Sequence, residues 1–353
     1  MEMGTESLLE GLERRDPAAL ARAISLVESR RPGYEGVLSH VHGRVGAKGG
    51  RRIGITGPPG AGKSTLTERL VQHFRGAGLK VAVVAVDPTS PFTGGALLGD
   101  RIRMESVSLD PDVFIRSMAT RGSLGGLAMA TEEVADVLDA FGFDRILIET
   151  VGVGQTELDI ARTAESTVLV LVPESGDAIQ TLKAGVMEIA DIYAVNKSDR
   201  PGADRLRQEI EVMLGIRRGN AFRHVSAHHK PDPKGRDARA RKAMQEVGAA
   251  PEWEPPVLAT VASQGEGIGD VVAALDRHRT YLESSGKLVE RRRRRLTERT
   301  RSLVERHLAE WLWDESAAGE VFERRLDAMV EGDRNPYEVA AEILDQVKGG
   351  VTP

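Results

Sequence analysis

The sequence predicts an α/β fold: a mostly parallel central sheet flanked by helices, with a helical extension before it and a helical arm after it. Three observations carry that prediction. Nearly continuous apolar runs recur between helix-like segments, the pattern of parallel strands buried on both faces. One turn, Gly57 to Ser64, reads G-x-x-x-x-G-K-[ST] with an apolar strand before it and a helical pattern after it. The other polar motifs also close on strand carboxyl ends, where ligands of open parallel sheets sit.

Residues 1–48 form the expected helical extension. Asp16-Pro17 is a cap followed by a first-turn proline. Leu20, Ile24 and Val27 then repeat at helical spacing, and Pro32-Gly33 stops that helix. Val37, Val41 and Val45 mark a second helix leading to Gly49-Gly50. Residues 49–282 form the sheet domain, with strands expected at 53–55, 81–86, 146–148, 167–172, 192–195 and 257–261 and helices at 66–74 and 131–141. Residues 230–254, rich in charge and proline, read as a surface excursion. Residues 283–353 form the arm. Positions 291–295 are all arginine; Leu296, Leu303, Val304, Leu308 and Trp311 follow on one helical face, and a last helix opens at Asn335-Pro336 with Val339, Ile343, Leu344 and Val347. So small a core is expected to need another surface to pack on, the main domain or a second subunit.

Lysine and arginine number 48 against 53 aspartates and glutamates, a formal charge of −5, so no global basic field points to nucleic acid or an anionic membrane. The arginine run reads as a solvated helix face. There is no cysteine, which excludes disulfides and thiolate metal sites and fits a reducing compartment. The first residues lack the basic and apolar regions of a signal peptide, and no apolar run of about eighteen residues appears, so a cytoplasmic location is expected.

The motif chemistry is specific. Gly57, Pro58, Pro59, Gly60, Ala61, Gly62, Lys63, Ser64 and Thr65 form a loop whose glycines let backbone N–H groups turn onto a phosphate at a helix start. Lys63 can reach the β/γ-phosphates, and the Ser64 hydroxyl can ligate Mg²⁺. Asn196-Lys197-Ser198-Asp199 ends a later strand as N-K-x-D. Guanine offers N–H donors that a carboxylate, Asp199, can accept, and adenine would leave that carboxylate unpaired. Asn196 braces the loop and the Lys197 stem covers the base. The loop with Ala262-Ser263 is where a backbone N–H would meet the guanine O6.

Three apolar residues and an acid, Ile146-Leu147-Ile148-Glu149, precede Thr150-Val151-Gly152. The acid is expected to hold Mg²⁺ through water, and the Gly152 N–H to meet the γ-phosphate. Asp87 ends the second strand and aims at the same region. Asp100, on the long loop that follows, is a second acid that a turn would also explain. The catalytic candidates are therefore Lys63, Asp87, Glu149 and Gly152, and the metal candidates Ser64, Asp87, Asp100 and Glu149.

In order along the chain, GPPGAGKST, VDPTSPFTGGALLGDRIRM, ILIETVGVGQTE, VPESGDAIQTLKAG and NKSD resemble the methylmalonyl-CoA mutase-associated GTPases, the MeaB/ArgK type of P-loop GTPase, over almost the whole chain. The resemblance implies a homodimer that binds GTP or GDP with Mg²⁺ and serves as chaperone to an adenosylcobalamin-dependent acyl-CoA mutase. In that role it gates cofactor loading and protects or reactivates the mutase, its slow hydrolysis stimulated by the partner. The family's phosphate and magnesium groups fall on Lys63, Ser64, Asp87, Asp100 and Glu149, and its guanine readers on Asn196, Lys197 and Asp199. Its partner-coupling segment falls on Asp177, Gln180 and Lys183, and its dimerisation arm on the tail helices. Two other readings share a phosphate loop. A nickel- or zinc-delivery GTPase needs thiolate or imidazole ligands. A transport-associated kinase needs adenine preference, against which Asn196-Lys197-Ser198-Asp199 argues.

Overall fold

A computed structural model describes residues 2–46, 50–87, 104–119, 126–150, 156–175, 184–217 and 252–350. Among these, seven strands form the sheet: β1 (Arg51–Thr56), β2 (Val81–Asp87), β3 (Val113–Ala119), β4 (Arg145–Thr150), β5 (Ser166–Leu171), β6 (Ile192–Asn196) and β7 (Val257–Thr260). Their order is β3-β2-β4-β1-β5-β6-β7, and every neighbouring pair is parallel. The strands of the middle of the sheet are buried almost throughout, the reason their apolar runs are continuous rather than alternating. β3 is the strand the sequence pattern does not predict. It lies on the sheet edge, and Arg116 and Ser117 break its apolar run; Arg116 reaches Glu28 on the second helix.

The helical extension packs as part of this body. α1 (Glu2–Glu13), α2 (Pro17–Ser29) and α3 (Tyr34–His42) form a layer with α2 and α3 packed on the helix Gly126–Phe141, which itself lies against β2 and β4. Asp16 caps α2 as expected, its carboxylate accepting the Ala18 N–H at 2.9 Å. α3 ends at Gly43, so Val45 lies beyond the helix that its spacing suggests. Leu20, Ile24, Val27, Val37 and Val41 meet Val134, Val137 and Leu138 of the helix Gly126–Phe141 in one core. The opposite face is covered by α4 (Lys63–Gly76) and the helix Ile268–Ser284, through Leu66, Leu70, Phe74, Val271 and Leu275.

At the amino end of β1 the core holds a charge. Arg52 is 1% exposed and donates to Asp136 at 2.5 Å, with Asp139 at 3.5 Å. Burial works to lower the guanidinium's affinity for its proton, but Asp136, Asp139 and Glu165 outweigh it and leave the pKa raised. Asp139 is held above the ordinary aspartate range: burial raises its pKa, against the pull of Arg52 and the Gly46 N–H. Arg279 pairs with Glu165 beside this cluster.

Chain contacts divide the protein into two compact units, residues 1–289 and 290–353. In the second unit, Ala318 and Val321 of the helix Ala318–Val330 meet Val339 and Ile343 of the helix Pro336–Gly350, and Arg325 forks onto Glu342. Leu296, Val304, Leu308, Trp313, Val330, Tyr337 and Leu344 remain exposed on it. No helix of the described residues is long and apolar enough to cross a membrane.

Candidate nucleotide site

The carboxyl ends of β1, β4, β5 and β6 bring the motifs to one edge. β1 passes into the loop 57–62, and α4 starts at Lys63 behind it, aligning its peptide dipoles toward the loop. Packing dictates two of the loop glycines. Gly57 has φ +144°, and a Cβ there would lie 2.1 Å from the Val170 carbonyl of β5. Gly62 has φ +88°, and its Cβ would lie 2.4 Å from Nδ2 of Asn196. A side chain at either position would push the loop off the sheet. Pro59 and Gly60 form the exposed crest, Pro58 is half-buried and Ala61 is buried.

Lys63 is 7% exposed, and its ammonium donates to the carbonyls of Gly57 at 2.9 Å and Pro58 at 3.0 Å. The charge therefore lies inside the ring of the loop. Ser64 donates to Oε1 of Glu149 at 2.5 Å, so the expected phosphate-side hydroxyl and metal-side acid meet directly. Glu149 is 2% exposed, and its other oxygen, Oε2, lies 2.8 Å from the Thr67 hydroxyl. That hydroxyl also lies 2.9 Å from the Lys63 carbonyl, so its single proton serves two acceptors. Thr56 and Thr150, closing β1 and β4, bond to each other at 3.0 Å. Thr65 is half-buried on the first turn of α4.

A hard cation fits this donor set. Ser64 and Glu149 supply only oxygen, one as hydroxyl and one as carboxylate, which suits Mg²⁺ rather than a soft metal. The backbone of Asp87 ends β2, whose ladder pairs Ala85 with Glu149 and Val86 with Thr150. The side chain of Asp87 lies outside the described residues, as do Asp100, Gly152, Asp177, Gln180 and Lys183 whole.

The second motif joins the first through one buried amide. Asn196, 2% exposed, donates from Nδ2 to the Ala61 carbonyl at 2.8 Å. Its Oδ1 accepts from the Ala262 N–H at 3.0 Å and the Thr260 hydroxyl at 3.2 Å. Lys197 adopts the left-handed conformation at φ 55° and lays its stem back so that Nζ reaches the Gly60 carbonyl at 2.9 Å. Ser198 is tied to β7 through its N–H and the Thr260 carbonyl at 3.0 Å, leaving Asp199 exposed at the loop's tip. The loop after β7 is a tight ring closed by a two-way bridge between Val261 and Glu266. Within it Ala262–Gln264 make one 3₁₀ turn.

The site therefore contains residues that motif reading does not reveal. Thr67 holds the second oxygen of Glu149, Thr260 supports Asn196, and Arg69 on α4 donates to the carbonyls of Ala262 at 3.0 Å and Ser263 at 2.8 Å. Thr67 and Arg69 follow the loop by three and five residues past Ser64 and so share its helix, the only cue the sequence offers.

Comparison with known proteins converges on one family. The family described as methylmalonyl Co-A mutase-associated GTPase MeaB matches residues 20–317. A Pyrococcus abyssi protein is 45% identical over 345 residues, covering 98% of this chain and 97% of its own. The mouse mitochondrial methylmalonic aciduria type A homolog is 34% identical over 299 residues, covering 81% of this chain and 66% of its own. Among solved structures, the LAO/AO transport system kinase superposes with a TM-score of 0.66 at 26% identity, covering 99% of both chains.

Proposed function

The chain belongs to the methylmalonyl-CoA mutase-associated GTPase family, and from that premise we propose that it is the nucleotide-driven chaperone of an adenosylcobalamin-dependent acyl-CoA mutase. As a GTPase of this family it binds guanine nucleotide and hydrolyses GTP. The finer claim is that hydrolysis gates cofactor loading and protects or reactivates the mutase. The family description supports the mutase as partner, and the residues support the mechanism.

The observation that carries the mechanism is the Asn196 bridge between Ala61 and Ala262, since one amide sets the spacing of the phosphate loop and the base loop. Lys63 neutralises charge as it develops on the β/γ-phosphate oxygens, helped by backbone N–H groups at the start of α4. Asp199 accepts from the guanine edge and Lys197 covers its face. Ser64 and Glu149 would hold Mg²⁺, with Asp87 and Asp100 the further acids of that shell. The ion supplies charge neutralisation at the phosphate oxygens. Catalysis is then positioning plus electrostatics, with a water attacking in line and no covalent intermediate. Gly152 would donate to the γ-phosphate, and Asp177, Gln180 and Lys183 would carry the signal to the mutase.

The tail unit supports a homodimer in this reading: a small core beneath many exposed apolar side chains is what a dimerisation arm needs. The test is GTP turnover by the purified full chain against a panel of acyl-CoA mutases. One mutase should raise turnover well above the intrinsic rate, and equal rates with and without every mutase would sink the chaperone reading.

A further inference from the structure

Three groups of contacts fix the peptides of the base loop. Asn196 takes the Ala262 N–H, so that donor is already committed. The Gln264 N–H closes the 3₁₀ turn onto the Val261 carbonyl at 2.9 Å. Of the three amides of the turn, Ser263 N–H is the one with no protein acceptor among the described contacts. Its direction is set from the other end of its own peptide. In a trans peptide the C=O and the following N–H point opposite ways. Arg69 holds the Ala262 C=O at 3.0 Å through Nε, which turns the Ser263 N–H away from α4. A second donation, Nη2 to the Ser263 C=O at 2.8 Å, pins the next peptide as well. The guanidinium is itself held by Gln72, whose Oε1 accepts from Nη1 at 3.0 Å. A planar fork bonded at three points cannot rotate without breaking one of them.

We propose that Arg69 is a specificity-positioning residue. By fixing the Ala262–Ser263 peptide, it presents the Ser263 N–H to the C6 carbonyl of a 6-oxopurine nucleotide. The inference rests on the guanine reading of Asn196-Lys197-Ser198-Asp199 and deepens it, because that motif reads N1 and N2 while the base loop reads the neighbouring C6 oxygen. Arg69 touches no nucleotide atom in this scheme. It also ties α4, the helix of the phosphate loop, to the base loop directly.

The test is calorimetric titration of the full chain and of Arg69→Ala and Arg69→Lys with GDP, 6-thioguanosine diphosphate, IDP and ADP, alongside thermal melts. Sulfur at C6 is a poorer acceptor than oxygen, while IDP keeps the oxygen and lacks only the N2 amine. The parent should favour GDP over the thio analogue by about fivefold, the size of one neutral hydrogen bond. Arg69→Ala should reduce that preference to about unity and leave the GDP/IDP ratio unchanged, and Arg69→Lys should fall between. A thio preference in Arg69→Ala equal to the parent's overturns the role of Arg69 while the guanine reading stands. Equal loss for all four nucleotides assigns Arg69 a merely structural role and also overturns it. A parent that binds GDP and ADP alike overturns the guanine reading, and this inference with it.

Discussion

Replacing Asn196 by alanine tests the central join of the site. The side chain is 2% exposed and makes three hydrogen bonds: to the Ala61 carbonyl at 2.8 Å, from the Ala262 N–H at 3.0 Å and from the Thr260 hydroxyl at 3.2 Å. The Thr260 hydroxyl can turn to another acceptor. The other two groups are main-chain atoms of buried residues, and each left unpaired costs about 1–3 kcal/mol. Asn196→Ala should therefore lower unfolding free energy by about 2–6 kcal/mol, measured by urea denaturation of the nucleotide-free protein. Asn196→Asp is the sharper variant, because it keeps an acceptor for Ala262 and replaces the donor to Ala61 by a carboxylate oxygen that repels that carbonyl. It should weaken the phosphate loop more than the base loop, read as a larger loss of affinity for pyrophosphate than for guanosine. If Asn196→Ala unfolds within about 0.5 kcal/mol of the parent, the bridge is not what holds the two loops in register.

Gly57→Ala puts a Cβ 2.1 Å from the Val170 carbonyl, so GTP binding should be lost by titration even where the circular-dichroism spectrum is retained. Arg52→Ala removes the guanidinium that Asp136 and Asp139 share in the core and should cost about 3–5 kcal/mol in denaturation. Asp139 has a pKa raised above its ordinary 3.8, so the folded state holds its proton more tightly than the unfolded chain does. Stability from this group is thus greatest below about pH 4 and declines as pH rises through the raised value. Asp139→Asn should flatten that decline in thermal melts taken from about pH 4 to 7.

How much of this was legible depends on whether the determining contact is local. The cap at Asp16, the strand-loop-helix around Gly57 to Ser64 and the strand ends at Glu149 and Asn196 are written in consecutive residues, and the structure brings the last three together at the carboxyl ends of the strands. What the chain order hides is which partner each atom meets. Ala262 and Ser263 are adjacent and look equivalent as donors, yet Asn196 takes the amide of the first. Thr67 reads as an ordinary helix residue until β4 sets Glu149 against it. β3 escapes pattern reading because an edge strand tolerates Arg116, whose charge is answered by Glu28 from another helix.

Arg52 has a consequence for how such a chain can diverge. The cation and its two acids come from separate elements, β1 and the helix Gly126–Phe141, and each is buried because the others are. A lone substitution strands a charge, whereas exchanging all three for apolar side chains of like volume would restore a dry interior at little or no cost. Positions 52, 136 and 139 should therefore drift as a set, and a descendant that gives up the arginine is expected to have surrendered both aspartates.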